Sequence, residues 1–406
     1  MSKKRKKQYK KVDASKRALA REAPSQRQLN DLMEYYQAAR LTEAESLATS
    51  LAEEFPAHEF GWKVLGAVLK LSGRVNESVA PMQKAAALSP MDTDAHYNLG
   101  VTYQELRRFP EAEASYGRAL SLKPDHADAL YNLGSMFHEI GRLNEAEERY
   151  LQVIAYRPDF VGAHNNLGLM LQESGRLDEA GESYRRAIAL QPSEADAHNN
   201  LGILLRELGE LGEAEASYRN ALTVRPGFVD AYNNLGIALQ DLSRLEEAES
   251  VFRQALALRP SFSEAHGNLG VTLKKLGRLA ESETSLLQAI ALSSEAAHHH
   301  ANLGDTLSEL GRLHEAEASL RHSIALKPEL AEAHYNLGSI LNQLRRLDEA
   351  EASYKQAIFL QENFGKAEAQ LGKVFLAQGR FEEGLRHIRR GSGVIVFETD
   401  RWLVGC

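Results

Sequence analysis

The chain has 406 residues, of which 43% are hydrophobic and 26% are charged, and its formal net charge is −8. No apolar run approaches the roughly 20 residues that a membrane helix needs, so we expect no membrane insertion. The single cysteine, Cys406, excludes a disulfide framework or a cysteine-based zinc site within one chain, and the composition predicts a soluble protein of the cytoplasm.

The chain begins with a basic segment, residues 1–24. It contains ten lysines and arginines against two acidic residues, so its net charge is +8 and the remainder of the chain carries −16. Charge without apolar residues predicts a disordered tail. We favour a solubilising arm; a nuclear-import signal, if the source is eukaryotic, and a contact with nucleic acid or a membrane surface are the alternatives. No apolar stretch follows the basic start, so no secretory signal is predicted.

The rest of the chain is built from a repeat. The tripeptide Asn-Leu-Gly recurs eight times at intervals of 34 residues, and its glycine extends from Gly66 to Gly372 without an insertion or deletion. In chain order, this phase predicts a degenerate repeat at 25–58, nine regular repeats over 59–364 and a pair of capping helices at 365–390.

Each repeat is predicted to be a helical hairpin. Apolar residues recur at three- and four-residue spacing on both sides of a turn such as Gly175-Arg176-Leu177. A small residue follows the repeat glycine by twelve positions, and an aromatic residue or leucine follows it by sixteen, as in Gly202, Ala214 and Tyr218. We expect the glycine to face the small residue and the ring to fill the space between hairpins. A hairpin cannot bury its own apolar face, so an all-α solenoid of about eleven stacked hairpins is predicted.

These features resemble the tetratricopeptide repeat family, whose 34-residue helix–turn–helix period and Leu-Gly, Tyr, Ala, Phe and Pro spacing the chain shares. The residues of the first clear repeat that match are Trp62, Leu65, Gly66, Ala85 and Pro90. The resemblance covers about nine-tenths of the chain and implies a superhelix whose first helices line a concave face. The resemblance is highly specific for the fold and only weakly specific for function.

One asparagine per repeat is the strongest candidate for contact with a ligand. If the first helices line a concave face, as the resemblance implies, these asparagines form one row on the inside. A side-chain amide both donates and accepts, so it can hold a peptide backbone at two points. A similar row grips substrates in the repeat arm of protein O-linked N-acetylglucosamine transferases, which these repeats resemble more than chaperone adaptors. The alternative is that the amides were copied with the repeat or tie neighbouring helices together. The row consists of Asn98, Asn132, Asn166, Asn200, Asn234, Asn268, Asn302 and Asn336.

Carboxylates bracket most of these amides on the same predicted helix face. They favour an extended partner segment that is neutral or basic. The alternatives are a solvated face and, for the acids that precede the amides, interaction with the helix dipole. No lysine or arginine stands at the asparagine position or four residues before it, which disfavours binding of chaperone C-terminal carboxylates. Seven residues after the asparagines stand Glu105, Glu139, Glu173, Glu207, Asp241, Lys275, Glu309 and Gln343, and four before them stand Asp94, Asp128, Gly162, Asp196, Asp230, Glu264, His298 and Glu332.

No catalytic, cofactor or metal site is predicted. Three consecutive helical residues point about 100° apart, so the run 298–300 of histidines cannot converge on one ion. Acidic pairs such as Glu145 with Glu147 are interpreted as solvated faces, and no nucleophile is paired with a base. Six histidines at one repeat position are expected to pack at the helix interface, where Trp62 stands in the first clear repeat: His96, His164, His198, His266, His300 and His334.

The chain ends with its one strand-like stretch, residues 391–406, which includes Val394-Ile395-Val396-Phe397. It is interpreted as a cap on the last hairpin; the alternative is a remnant of a further domain. We therefore expect a scaffold or adaptor that binds an extended partner segment in its concave groove. The rival hypothesis is the substrate-recruiting arm of a glycosyl- or sulfotransferase whose catalytic domain is absent or separate.

Overall fold

A computed structural model describes residues 23–392, and within that range all regular structure is α-helical: 22 helices and no strand. The predicted all-α repeat fold is confirmed. The expectations for nearly all of the basic segment and for the strand-like C-terminal stretch concern residues outside this range. None of the helices in the described range is long and apolar enough to cross a membrane.

The helices pair into hairpins and fall into two compact units, divided after Pro192. The first unit contains α1 (Gln26–Gln37), α2 (Leu41–Glu54), α3 (Glu59–Leu71), α4 (Val75–Leu88), α5 (Thr93–Glu105), α6 (Phe109–Leu122), α7 (Ala127–Glu139), α8 (Leu143–Tyr156), α9 (Val161–Glu173) and α10 (Leu177–Leu190). The second unit contains α11 (Ala195–Glu207), α12 (Leu211–Val224), α13 (Val229–Asp241), α14 (Leu245–Leu258), α15 (Ser263–Lys275), α16 (Leu279–Leu292), α17 (Ala297–Glu309), α18 (Leu313–Leu326), α19 (Ala331–Gln343), α20 (Leu347–Leu360), α21 (Gly365–Ala377) and α22 (Phe381–Ser392).

The turn inside each hairpin depends on one left-handed residue. Gly141 has φ of +76°, a region that glycine enters without a steric penalty, and it follows α7 directly after Ile140. The backbone N–H of Gly141 then donates to His138 at 3.0 Å, and that of Arg142 donates to Phe137 at 2.8 Å. These two bonds satisfy carbonyls that the helix end leaves free and set the direction of α8.

The interior of a hairpin is formed by the repeat glycine and the residue sixteen positions later. A β-carbon added to Gly202 would lie 2.7 Å from the ring of Tyr218, which is almost fully buried. The ring therefore packs on the glycine of its own hairpin, and the expectation that it also fills the space between hairpins stays a prediction. Glycine is required here because any side chain would overlap the ring.

Arginine–glutamate pairs tie successive hairpins together through their second helices. Arg278 donates to Glu281 on its own helix at 2.6 Å and to Glu249 of the preceding hairpin at 2.6 Å. The acidic pairs, which we interpreted as solvated faces, remain partly exposed but also bind arginine: Glu145 accepts from Arg142, and Glu147 accepts from Arg176 at 2.7 Å. Exposed pairs of this kind contribute about 0–1 kcal/mol each. The same arrangement is made by Arg74, Arg142, Arg176, Arg244, Arg278, Arg312, Arg346 and Arg380.

Candidate peptide-binding face

The eight asparagines of the predicted row all lie on the first helix of a hairpin, at the same position in each, from Asn98 on α5 to Asn336 on α19. Asn98 is exposed and the other seven are half-buried. We call the surface formed by these residues, together with the residues three, six and seven positions after each of them, the first-helix face. Each compact unit has its own part of this face.

Several of these asparagine side chains donate a hydrogen bond to the preceding hairpin. In the first unit, Asn132 Nδ2 donates to the Tyr97 hydroxyl at 3.1 Å, and Asn166 Nδ2 donates to the Tyr131 hydroxyl at 2.9 Å. In each pair the acceptor lies 35 residues earlier, on the first helix of the preceding hairpin. These amides therefore tie neighbouring helices, as the alternative interpretation of the row required.

The same bond recurs in the second unit with a different acceptor. Asn234 Nδ2 donates to Asn199 Oδ1 at 3.0 Å, and Asn268 Nδ2 donates to Asn233 Oδ1 at 2.9 Å. A side-chain amide has two N–H groups and one carbonyl oxygen, so this bond leaves further hydrogen-bonding capacity on the same side chain. It also holds each amide in one orientation.

The pattern of bonds stops where the acceptor is missing. Thirty-five residues before Asn302 and Asn336 stand Gly267 and Ala301, which have no side-chain oxygen. Between residues 23 and 392, Asn302 and Asn336 make no side-chain hydrogen bond to a preceding hairpin. The row that is uniform in sequence therefore contains bonded and unbonded members.

Aliphatic side chains lie beside the amides, three residues further along each helix. Leu169 is 36% exposed, and Ile203, Ile237 and Val271 are half-buried at the corresponding positions. These aliphatic residues were not among the predicted site residues, although their spacing of three from the asparagine places them on the same helix face. Amides and partly exposed aliphatic groups together can contact both the backbone and the side chains of a peptide.

The carboxylates that follow the amides are paired more extensively than we expected. Lys70 Nζ lies 3.0 Å from Glu105, and His138 Nε2 lies 2.7 Å from Glu173; Lys70 and His138 both belong to the preceding hairpin. Further along the row, Glu139 pairs with Arg107 at 2.6 Å, Asp241 lies 4.0 Å from Arg206, and Glu309 lies 3.7 Å from Lys274; Glu207 occupies the corresponding position on α11. The acidic edge of the first-helix face is therefore partly neutralised.

Two of the carboxylates that precede the amides are also paired. Asp196 accepts from Arg225 at 2.6 Å, and Asp230 accepts from Arg259 at 3.4 Å. Both arginines lie in loops between hairpins. By contrast, the side chain of Asp94 is 73% exposed, and the ring of His126 lies 3.9 Å away.

The repeated histidines are structural. His164 Nε2 donates to the Pro158 carbonyl at 3.0 Å and His266 Nε2 to the Pro260 carbonyl at 3.0 Å, while Trp62 Nε1 donates to the Pro56 carbonyl at 3.2 Å. At these positions histidine makes the same bond to a proline carbonyl that Trp62 makes, while the expected packing at the helix interface stays a prediction. The bond links the first helix to the loop that precedes it.

His299 is the buried member of the histidine run. Its side chain is 1% exposed, and Nε2 lies 2.9 Å from the hydroxyl of Ser263. Burial lowers the pKa of His299 to about 4, with smaller contributions from His298 and His300. The ring occupies space that Gly267 leaves open: a β-carbon on Gly267 would lie 2.4 Å from it. In residues 23–392, no three potential metal-ligating side chains come together.

Comparison with family models identifies the repeat. A model described as the cilia and flagella-associated protein 70 C-terminal domain matches residues 160–374. Two tetratricopeptide repeat models match residues 92–159 and 367–390. No curated protein matches the chain.

Solved structures share the architecture at low sequence identity. A chain of the APC/C hetero-tetramer Cut9-Hcn1 aligns with a TM-score of 0.52 and 14% identity, over 89% of this chain and 92% of that chain. A tetratricopeptide repeat protein from Parabacteroides merdae aligns with a TM-score of 0.52 and 22% identity, over 62% of this chain and 98% of that chain. The MamA protein is 27% identical over 41% of this chain and 92% of its own length, with a TM-score of 0.38. The first two likenesses concern the fold alone.

Proposed function

Because the chain belongs to the tetratricopeptide repeat family, whose members are generally protein-interaction scaffolds, we propose that it is a non-catalytic scaffold that binds an extended segment of a partner protein along the first-helix face. The observation that carries this proposal is the row of one side-chain amide per hairpin on the first helices, from Asn98 to Asn336. Several members of the row are held in one orientation by the preceding hairpin, as Asn268 is held by Asn233. A group that is already oriented loses little freedom on binding.

The partner segment is expected to be neutral or basic. Residues 25–406 carry a net charge of −16, and the carboxylates beside the amides are only partly paired. The aliphatic groups Ile237 and Val271 add apolar contact between successive amides. Each amide contributes about 0.5–1.5 kcal/mol net, so several are needed for useful affinity.

Affinity capture followed by mass spectrometry tests the proposal. The variant replaces Asn98, Asn302 and Asn336 with alanine, because these side chains have no bond to a preceding hairpin in the described range and their loss leaves the fold intact. The control variant replaces two asparagines on second helices, Asn144 and Asn220, which are exposed. We expect the row variant to lose partners that the wild-type chain and the control retain.

For a partner segment mapped in this way, each row substitution should weaken binding by about 2- to 10-fold in a fluorescence-anisotropy titration. Equal affinity for the row variant and the wild-type chain would contradict the proposal. Transferase turnover by the full chain without an added subunit would contradict its non-catalytic part.

A further inference from the structure

The polar row is interrupted on the first helix of the second hairpin. The positions that carry Asp94, Asn98 and Glu105 on α5 carry apolar side chains on α3, the residues Phe60, Val64 and Leu71. Leu71 is 61% exposed, although a repeat copied without change would place a carboxylate there. The first-helix face is therefore apolar on α3 and amide-lined from α5 onward.

The junction between the second and third hairpins lacks two of the recurring ties, although Lys70 still pairs with Glu105 across it. Arg108 binds Glu111 on its own helix, but the position 29 residues earlier is Val79 rather than a glutamate. Lys63 stands 35 residues before Asn98, and its ammonium group binds Asp92 at 2.7 Å instead. In addition, Met82 replaces the bulky aromatic ring that most hairpins have at this position.

A cavity of 640 Å³ opens at this junction. Met33 of α1 and Phe60 and Leu71 of α3 are among its apolar lining, Met82 of α4 also lines it, and the amide of Asn98 on α5 lies on its wall. Its volume is within the range of about 300–1,000 Å³ that is usual for ligand sites. Methionine side chains adapt to differently shaped apolar groups.

We propose that this cavity anchors two or three clustered bulky apolar side chains (Leu, Ile, Met or Phe) of a partner protein segment that has basic residues beside them. The inference rests on the proposed function, since the same segment would continue past Asn98 onto the amide row. It adds what the row cannot supply, which is a preference for particular side chains. The amides recognise a backbone, whereas this cavity selects for apolar groups.

Charge favours a foreign basic segment over other occupants. Glu59 and Asp92 line the cavity together with Lys63 and Lys70, so the charges of the lining balance. Two further carboxylates on α5 lie beside it: Glu105 is 3.0 Å from Lys70, and Asp94 is two residues from Asp92. They add two negative charges at the edge of the cavity. A second copy of this chain would bring a net charge of −8, and −16 over its residues 25–406, to a site with acidic residues at its edge. The chain's own segment 1–24 has the complementary charge but no cluster of bulky apolar residues.

A random peptide library displayed on phage, selected against the full chain, tests the inference. The main variant, Phe60→Asp with Leu71→Glu, gives α3 the residues that α5 carries at the equivalent positions. Because α5 folds with both residues, we expect the variant to fold. Ala67→Asp is a second variant, because Asp305 occupies the equivalent position on α17. The matched control, Leu151→Glu with Tyr156→Asp, changes two exposed side chains on α8 by the same charge.

We expect the selected peptides to contain clustered Leu, Ile, Met or Phe next to Lys or Arg. Their affinity should fall at least about tenfold in both cavity variants and remain unchanged in the control. Recovered peptides that bind the cavity variants as well as the wild-type chain would overturn the inference. Recovery of no peptide would overturn both the inference and the proposed function.

The amide row and the cavity can fail separately. If Asn98→Ala, Asn302→Ala and Asn336→Ala lower the affinity of the peptides and the cavity variants do not, the result supports the proposed function and contradicts this inference. Peptides lost only in the cavity variants would support the inference and contradict the row. Two outcomes would overturn the proposal by showing that the cavity binds part of this chain itself. One is a dimer of the wild-type chain that dissociates in the cavity variants. The other is displacement of the peptides by a synthetic segment 391–406.

Discussion

Two stretches of the first-helix face in the second unit share the same asparagine and differ in what surrounds it. Asn234 and Asn268 are bonded to the preceding hairpin, and Ile237 and Val271 follow them on the same face. Asn302 and Asn336 face a glycine and an alanine instead, and are followed by Asp305 and Ser339. An identical residue at an identical repeat position therefore has a structural task in one stretch and none in the other, and the neighbour 35 residues earlier decides which.

The interior should be equally intolerant of added volume in both stretches. A β-carbon on Gly236 would lie 2.5 Å from Phe252, and one on Gly304 would lie 2.7 Å from Leu320. Replacing either glycine with leucine is expected to lower the free energy of unfolding by about 3 kcal/mol, measured by thermal and urea unfolding. The control is Gly212→Leu, since no atom lies within 4 Å of the added carbon. If only one of the two glycine variants lost stability, the two stretches would differ in the packing of their interior as well as in the residues of the first-helix face.

The unbonded stretch should be the more sensitive to acid, because it contains His299. Its pKa is lowered to about 4 in the folded protein from an ordinary value of 6.5, so the unfolded chain binds the proton first as the pH falls. The contribution of His299 is therefore complete above pH 6.5 and is lost as the pH falls toward 4, by about 3 kcal/mol. Unfolding measured from pH 7 to pH 4 should show this loss in the wild-type chain and not in His299→Ala, the residue that most other hairpins carry. An unchanged pH dependence in that variant would contradict the assignment.

A substitution at Gly267 can supply the acceptor that the side chain of Asn302 lacks. Gly267→Asn gives Asn302 an acceptor at the position where Asn233 serves Asn268, but the new side chain meets the ring of His299. Because the end of a side chain can shift, we expect a loss of about 1–2 kcal/mol. Adding His299→Ala should recover part of it.

The double-mutant cycle over these two positions measures the effect as a coupling energy. Additive losses would show that the two side chains do not compete for the same space. Recovery beyond the wild-type stability would indicate that the restored amide bond outweighs the contacts of His299.

The repeat period made the hairpins predictable, because a strict spacing of glycine, small residue and proline leaves one register for each pair of helices. It could not separate Asn268 from Asn302, since that difference requires knowing which side chains of adjacent hairpins meet. The same holds for Glu147, whose partner Arg176 is 29 residues away in sequence. The cavity was hidden for another reason: Phe60 and Leu71 are ordinary core residues to a periodicity argument, and only their place on the first-helix face makes them unusual.

The smallest expected change in stability distinguishes the asparagines that are bonded to the preceding hairpin from those that are not. Asn234→Ala and Asn268→Ala should each lower the free energy of unfolding by about 1 kcal/mol, because each removes a half-buried hydrogen bond and leaves Asn199 or Asn233 without its donor. Asn302→Ala and Asn336→Ala should change it by less than about 0.5 kcal/mol. Long repeat arrays need not unfold in one step, so amide hydrogen exchange in the flanking helices is the better measurement. Equal protection in all four variants would mean that the inter-hairpin bonds do not contribute to stability, and the row would then have binding as its remaining role.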